Sequence, residues 1–182
     1  MQLRIQRPDV CFEKSFLAAF SEFESEAERL DWMYLGKNSQ VDLPHKDFPK
    51  FVTTLLDREH TAPADFVTTV TFWGVIGNEV VGRIGLRHYL NDFLRSVGGH
   101  IGYIVRPSFR RRGVASRMLK LVLESKEAFN IGRLLLTCDT DNPASEKVIV
   151  RNGGAFESVV DHPPFKPKKR FWIDVLEASE AQ

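Results

Sequence analysis

Cysteine is scarce. Cys11 and Cys138 are the two in the chain, far apart and without metal-ligand or redox spacing. That argues against a disulfide scaffold and makes a reducing compartment, the cytoplasm, the expectation. A bias toward either charge is also missing. The 182 residues carry 25 Lys and Arg against 24 Asp and Glu, a formal net charge of +1. A chain that binds nucleic acid or a membrane surface by bulk electrostatics would be more one-sided. No apolar run approaches the ~18 residues of a membrane span, and the opening Met1–Pro8 lacks the apolar core of a signal peptide. The dinucleotide fingerprint, the P-loop, the zinc-protease H-E-x-x-H and the G-x-S-x-G elbow are all absent. Asp139-Thr-Asp-Asn-Pro143 begins like a calcium loop, but Pro143 and the missing glycine spoil it. What remains is a globular composition, 43% hydrophobic and 27% charged, at a length that suits one domain over residues 1–182.

The apolar pattern alternates between helical and strand periods. Leu3–Gln6 reads as a short strand. Cys11, Phe12, Phe16, Leu17, Phe20 and Phe23 recur at spacings of three and four, which predicts one amphipathic helix over about 10–30. Residues 36–49 read as loop and 48–59 as a second helix. Residues 66–75 and 79–87 are rich in β-branched and aromatic types, and Gly77-Asn78 between them signals a hairpin. A connection over 89–99 leads to a strand at 100–105. The clearest helix spans 114–129, and 133–138 is an apolar run suited to a strand covered on both faces. Asn142-Pro143 supplies a cap and a first-turn proline for a last helix, which Asn152-Gly153-Gly154 ends. Residues 155–160 and 170–175 form a final strand pair, separated by Pro163, Pro164 and Pro167. Helices interleaved with hairpins and crossovers imply a three-layer α/β domain, with a mixed, mostly antiparallel twisted sheet and helices on both faces.

The chemistry concentrates at Val105-Arg-Pro-Ser-Phe-Arg-Arg-Arg-Gly-Val-Ala-Ser116, where a strand runs into a basic loop and a glycine opens the best helix. A helix start exposes unpaired N–H groups with partial positive charge, so this junction suits a phosphate. Arg110-x-x-Gly113-x-Ala115 also matches the Q/R-x-x-G-x-G/A motif of the GNAT superfamily of acyl-CoA N-acyltransferases. Strand 133–138, Asp141-Asn142-Pro-Ala-Ser145 and Arg151-Asn-Gly-Gly154 resemble that family's following strand and helix. The segments 87–92 and 99–103 resemble a branch of predicted acetyltransferases within it. The resemblance covers about residues 66–160.

It implies a GNAT-like fold and acetyl-CoA as cosubstrate, with no metal. Backbone amides of Arg111, Arg112, Gly113, Val114, Ala115 and Ser116 would cradle the pyrophosphate. Strands 100–105 and 133–138 would splay around the pantetheine, bonded by main-chain atoms of Tyr103, Ile104 and Val105. Arg110, Arg111 and Arg112 would add charge, and Asn142 and Ser145 would lie nearby, Asn142 capping its helix in any case. A tyrosine found seven residues after the asparagine in many members is Ile149 here, so that acid role is not carried over.

Acyl transfer needs an amine without its surplus proton, donors for an oxyanion and a leaving thiol of pKa roughly 8.5. Residues 98–105 contain no Asp or Glu, which leaves His100 as their one side chain titrating near neutrality. His100, Tyr103 and Ser145 are therefore the candidate catalytic residues. Arg87, His88 and Asp92 are candidates for the acceptor site, with Trp32, Tyr34 and Trp73 at its edge if they are not packing. The acceptor would be a small-molecule or peptide amine, in a pocket built largely from residues 25–65 and 87–99. Exposed sheet edges would allow a homodimer. The competing possibility is a non-catalytic acyl-CoA-binding module; an RNA-phosphate binder has less support. Lys166–Arg170 reads as a solvated basic turn.

Overall fold

The computed structural model describes residues 2–33 and 44–175. Four strands form one antiparallel sheet in chain order: β1 (Arg4–Gln6), β2 (Thr69–Ile76), β3 (Glu79–Arg87) and β4 (Ile101–Val105). A second sheet has the order β5 (Arg133–Asp139), β7 (Phe165–Asp174), β6 (Ala155–His162), also antiparallel. Between them run α1 (Glu13–Phe20), α2 (Glu26–Met33), α3 (Phe48–Asp57), α4 (Val114–Leu123), α5 (Lys126–Ile131) and α6 (Pro143–Arg151).

Gly77, at φ +59°, makes the β2–β3 turn, as Gly-Asn predicts. Gly74 pairs with Gly82 but Val75 pairs with Val80, which leaves Val81 as an extra residue on β3. Val81 therefore joins Ile84 and Leu86 in the core under α4, while Val80 packs on the other face. That other face carries the aromatic core: Phe16 stacks on both Trp32 and Trp73, with Phe48 and Phe51 beside them. Trp32 and Trp73 are fully buried packing residues. Helices thus cover both faces of the first sheet, which is the layered α/β architecture expected.

The sheets meet where β4 begins beside β5. The His100 N–H donates to the Leu135 carbonyl at 2.7 Å, and the Leu135 N–H donates to His100 Nδ1 at 2.8 Å.

Four predicted elements differ in extent. The helix over 10–30 is a 3-10 turn at Val10–Phe12, α1 and α2. It breaks because the Ser25 hydroxyl accepts the Glu28 N–H and the Arg29 guanidinium takes the Phe23 carbonyl. The helix over 114–129 breaks likewise where Ser125 caps Ala128. The last two strands run longer than expected. Lys166–Arg170 is not a solvated turn but part of β7, with Lys166, Lys168, Lys169 and Arg170 paired to Asp141, Asp139, Glu146 and Glu157. Those pairs also occupy the two aspartates of the calcium-like stretch. A helical turn at Leu94–Gly98 interrupts the 89–99 connection. Tyr34 and most of the loop predicted at 36–49 lie outside the described residues.

Candidate active site

The backbone builds the first feature. Arg111 and Gly113 both have positive φ, +61° and +77°, so the loop after β4 turns sharply before α4 begins. Gly113 is the N-cap of α4, with no side chain capping it. The helix ladder starts with the Arg117 N–H on the Gly113 carbonyl, so the N–H groups of Val114, Ala115 and Ser116 precede it. A Cβ on Gly113 would meet nothing within 4 Å; the space over this helix start is open.

That space is a cavity of about 480 Å³ between β4, the loop, α4 and α6. Tyr103, Ile104, Val105, Arg110, Arg111, Gly113, Val114, Ala115, Ser116, Asn142 and Ser145 all line it. Arg112 does not; its guanidinium lies 5.4 Å from the centre of the Phe109 ring. Sequence reasoning missed Lys147 and Val148, which line it with Ala144 and Arg151. The spacing 144, 147, 148, 151 is one face of α6, a stripe the helical period could have revealed.

Arg110 lines the cavity yet serves a structural purpose. It donates to the Val105 carbonyl at 3.2 Å and to Glu28 at 2.6 Å, and that guanidinium holds the Glu28 carboxyl below the usual carboxylate range. One turn earlier, buried Arg106 pairs with Glu22 at 2.6 Å, and Glu22 also accepts the Ser108 N–H at 3.0 Å. Partial burial works to raise the Glu22 pKa, but these bonds outweigh it and hold the carboxyl low. Two carboxylates of the N-terminal layer thus clamp the loop.

Tyr103 and Ser145, 42 residues apart, meet in the cavity wall with their hydroxyls 2.7 Å apart. Burial pushes the Tyr103 phenol up to about 12. Asn142 accepts the Ser145 N–H at 3.0 Å, capping α6 and fixing Ser145. Ile149, at the position of the absent tyrosine, is fully buried in the core.

His100 is elsewhere. It is 6% exposed, does not line the cavity and spends Nδ1 on Leu135. Burial, helped by the nearby Arg87 cation, pushes its imidazole down to about 4.

A second cavity of about 370 Å³ opens between residues 30–31, 58–69 and 87–94. Of the three acceptor-site candidates, Arg87 lines it and His88 and Asp92 do not. His88 Nδ1 is bonded to the Thr68 hydroxyl at 2.9 Å. Asn91, one residue before Asp92, faces the cavity instead. Among the described residues, no group of three His, Cys, Asp or Glu side chains could hold a metal ion, and no helix is long and apolar enough to cross a membrane.

The profile of the acetyltransferase (GNAT) domain matches residues 16–155, most of the chain. The chain belongs to the GNAT acetyltransferase family. No curated protein matches it in sequence, but GNAT enzymes of known structure superimpose along nearly its whole length. The microcin C7 self-immunity acetyltransferase MccE, solved with acetyl-CoA and AMP, aligns with TM-score 0.66 at 12% identity, over 96% of this chain and 93% of that one. Mycobacterium smegmatis RimJ, in complex with CoA-disulfide, gives 0.64 at 17% over 94% and 81%. A Salmonella typhimurium acetyl transferase that modifies the N-terminal serine of a 50S ribosomal subunit protein gives 0.63 at 15% over 97% and 96%. At such identities the likeness shows the shared GNAT fold.

Proposed function

We propose that this chain is an N-acetyltransferase that moves an acetyl group from acetyl-CoA to a primary amine by direct attack, with both substrates bound. The open, uncapped start of α4 carries this proposal. Positive-φ residues at 111 and 113 and three N–H groups ahead of the helix ladder form a cradle for an anion. Arg111, Lys147 and Arg151 on the same cavity supply full charges. These residues fit a coenzyme A pyrophosphate, and relatives solved with acetyl-CoA or a CoA disulfide support that ligand class.

Acetyl-CoA, when bound, supplies a thioester already activated for attack. The chain's residues orient it. Tyr103, Ile104 and Val105 form the strand wall of the cavity, and the Tyr103–Ser145 hydroxyl pair stands beside it as the donor toward the leaving sulfur. His100 holds β4 to β5 as a neutral acceptor of the Leu135 N–H, so it is assigned a structural part rather than that of base. A cytoplasmic enzyme fits the free thiols of exposed Cys11 and buried Cys138. Exposed Phe156 and Val159 on edge strand β6 are the candidate contact of a homodimer.

The test is calorimetric titration with acetyl-CoA beside Ala115→Glu. A carboxylate in the first turn favours the helix and its dipole, so the variant should fold while losing the anion site. Micromolar binding by the wild type and a loss of at least about a hundredfold in the variant are expected. No binding by the wild type would sink the proposal. Binding without thiol release for any amine would return the non-catalytic acyl-CoA module.

A further inference from the structure

We infer that the Ser116 hydroxyl is a further donor to the coenzyme pyrophosphate and that Asn152 is the positioning residue that aims it. This rests on the coenzyme site proposed above and names a side chain that holds its ligand. Ser116 is in the first turn of α4 and lines the first cavity. Side chains on a helix lean toward its N-terminus, so this hydroxyl leans over the same helix start as the N–H groups. Asn152, the C-terminal cap of α6, donates through Nδ2 to Ser116 Oγ at 3.1 Å and to the Val148 carbonyl at 2.8 Å. The Asn152 backbone N–H has turned to the Ile149 carbonyl at 3.0 Å, so the side-chain amide serves the Val148 carbonyl in its place.

These two bonds decide which way the hydroxyl points. A carbonyl oxygen only accepts, so the side of the amide against Val148 is the nitrogen; the reverse orientation would set two acceptors 2.8 Å apart. That nitrogen has two hydrogens, and the second goes to Ser116 Oγ. Ser116 is therefore an acceptor toward α6, and its own proton is left for another group. A serine inside a helix can give that proton to a carbonyl one turn back. Here, among the described residues, Asn152 is the one hydrogen-bond partner of the hydroxyl. The lining of the cavity includes Arg111, Lys147 and Arg151 and no Asp or Glu, so the surroundings favour an anion as the acceptor of the proton. A hydroxyl held in this way gives a charge-assisted bond without first breaking an internal one. Helix α6 thus has an asparagine at each end, Asn142 fixing Ser145 beside Tyr103 and Asn152 fixing Ser116 at the start of α4.

Acetyl-CoA binding should be measured by calorimetry, with thermal unfolding beside it, in the wild type, Ser116→Ala, Asn152→Ala and the double variant. Ser116→Ala should weaken binding roughly tenfold, as for a lost charge-assisted bond, while the fold holds, since alanine suits a helix. Asn152→Ala should weaken it roughly three- to tenfold, because the hydroxyl is then free to turn to a carbonyl of its own helix. The double variant should bind within about twofold of Ser116→Ala, since Asn152 acts on the ligand only through that hydroxyl. Tm separates this from a merely structural part: Asn152→Ala should lower it in both backgrounds, through the lost Val148 bond, but should weaken binding in one. Asn152→Gly, which suits a helix end, serves the same cycle if the alanine variant does not fold. Unchanged binding in Ser116→Ala overturns the inference. So does an Asn152 effect on binding that is absent, or of the same size in both backgrounds. Either result leaves the coenzyme site standing, whereas no acetyl-CoA binding by the wild type overturns that site as well.

Discussion

Tyr103 keeps its proton at any physiological pH, since burial pushes the phenol up to about 12. A thiol leaving group near 8.5 does not take a proton downhill from such a phenol. In the mechanism proposed above, the Tyr103–Ser145 pair would therefore act on the departing sulfur by donating a hydrogen bond, with the proton arriving from water. Tyr103→Phe and Ser145→Ala should each lower kcat roughly tenfold, in the range of a lost charge-assisted bond. The double variant should lose little more than either single one, because the hydroxyls work as a unit. Steady-state kinetics on the three variants checks this, and additive losses would contradict it. Both residues are visible in the sequence as polar groups beside motifs. That they touch is not, because the contact joins a strand to a helix 42 residues later. His100 shows the reverse: its type suggests a base, but its neighbour across the sheet joint turns it into a hydrogen-bond acceptor.

Helices and strands were legible from their periods, and the breaks in them were not. Ser25 and Ser125 each end a continuous apolar stripe by offering a hydroxyl to the backbone, a local competition that apolar spacing does not report. The break after α1 matters because it delivers Glu22 to Arg106. Arg106 is 8% exposed, and stripping its carboxylate leaves a nearly buried cation with a weaker partner in Glu79 at 3.5 Å. Glu22→Ala should cost roughly 2–3 kcal/mol in denaturant unfolding, and more than Glu28→Ala, whose partner Arg110 is exposed. The seat of α4 is equally specific. Gly74 and Gly82 pair across β2 and β3, and a Cβ on Gly74 would lie 2.5 Å from Met118 Sδ. Gly74→Ala should cost about 1–3 kcal/mol by overpacking. Combined with Met118→Ala it should cost clearly less than the sum of the two, and a strictly additive result would refute the close contact.

The acid sensitivity of the folded chain follows from which groups are shifted and in which direction. His100 has a folded pKa near 4 against an ordinary 6.5. Between those values the unfolded chain binds the extra proton, so stability falls as pH drops from 6.5 toward 4, by at most about 3 kcal/mol. Glu22 and Glu28 are held below their ordinary value of 4.5, so what they contribute is present above that value and is lost further down. Thermal unfolding should thus show destabilisation beginning below pH 6.5, before those carboxylates titrate. His100→Asn, which keeps an acceptor for the Leu135 N–H, should remove that first limb; a profile unchanged by the substitution would be decisive against it. The layered α/β class and the anion-binding junction were readable from motif spacing, since both depend on local chain geometry. For the second cavity the sequence offered only broad segments, 25–65 and 87–99, and no motif to name the lining residues, because the tertiary fold selects residues 30–31, 58–69 and 87–94 from distant parts of the chain.

Helix α2 has a double attachment. Glu28 grips Arg110 at the rim of the first cavity, and Asp31, one turn on, lines the second. The two cavities therefore share one footing: a single eight-residue helix reaches both.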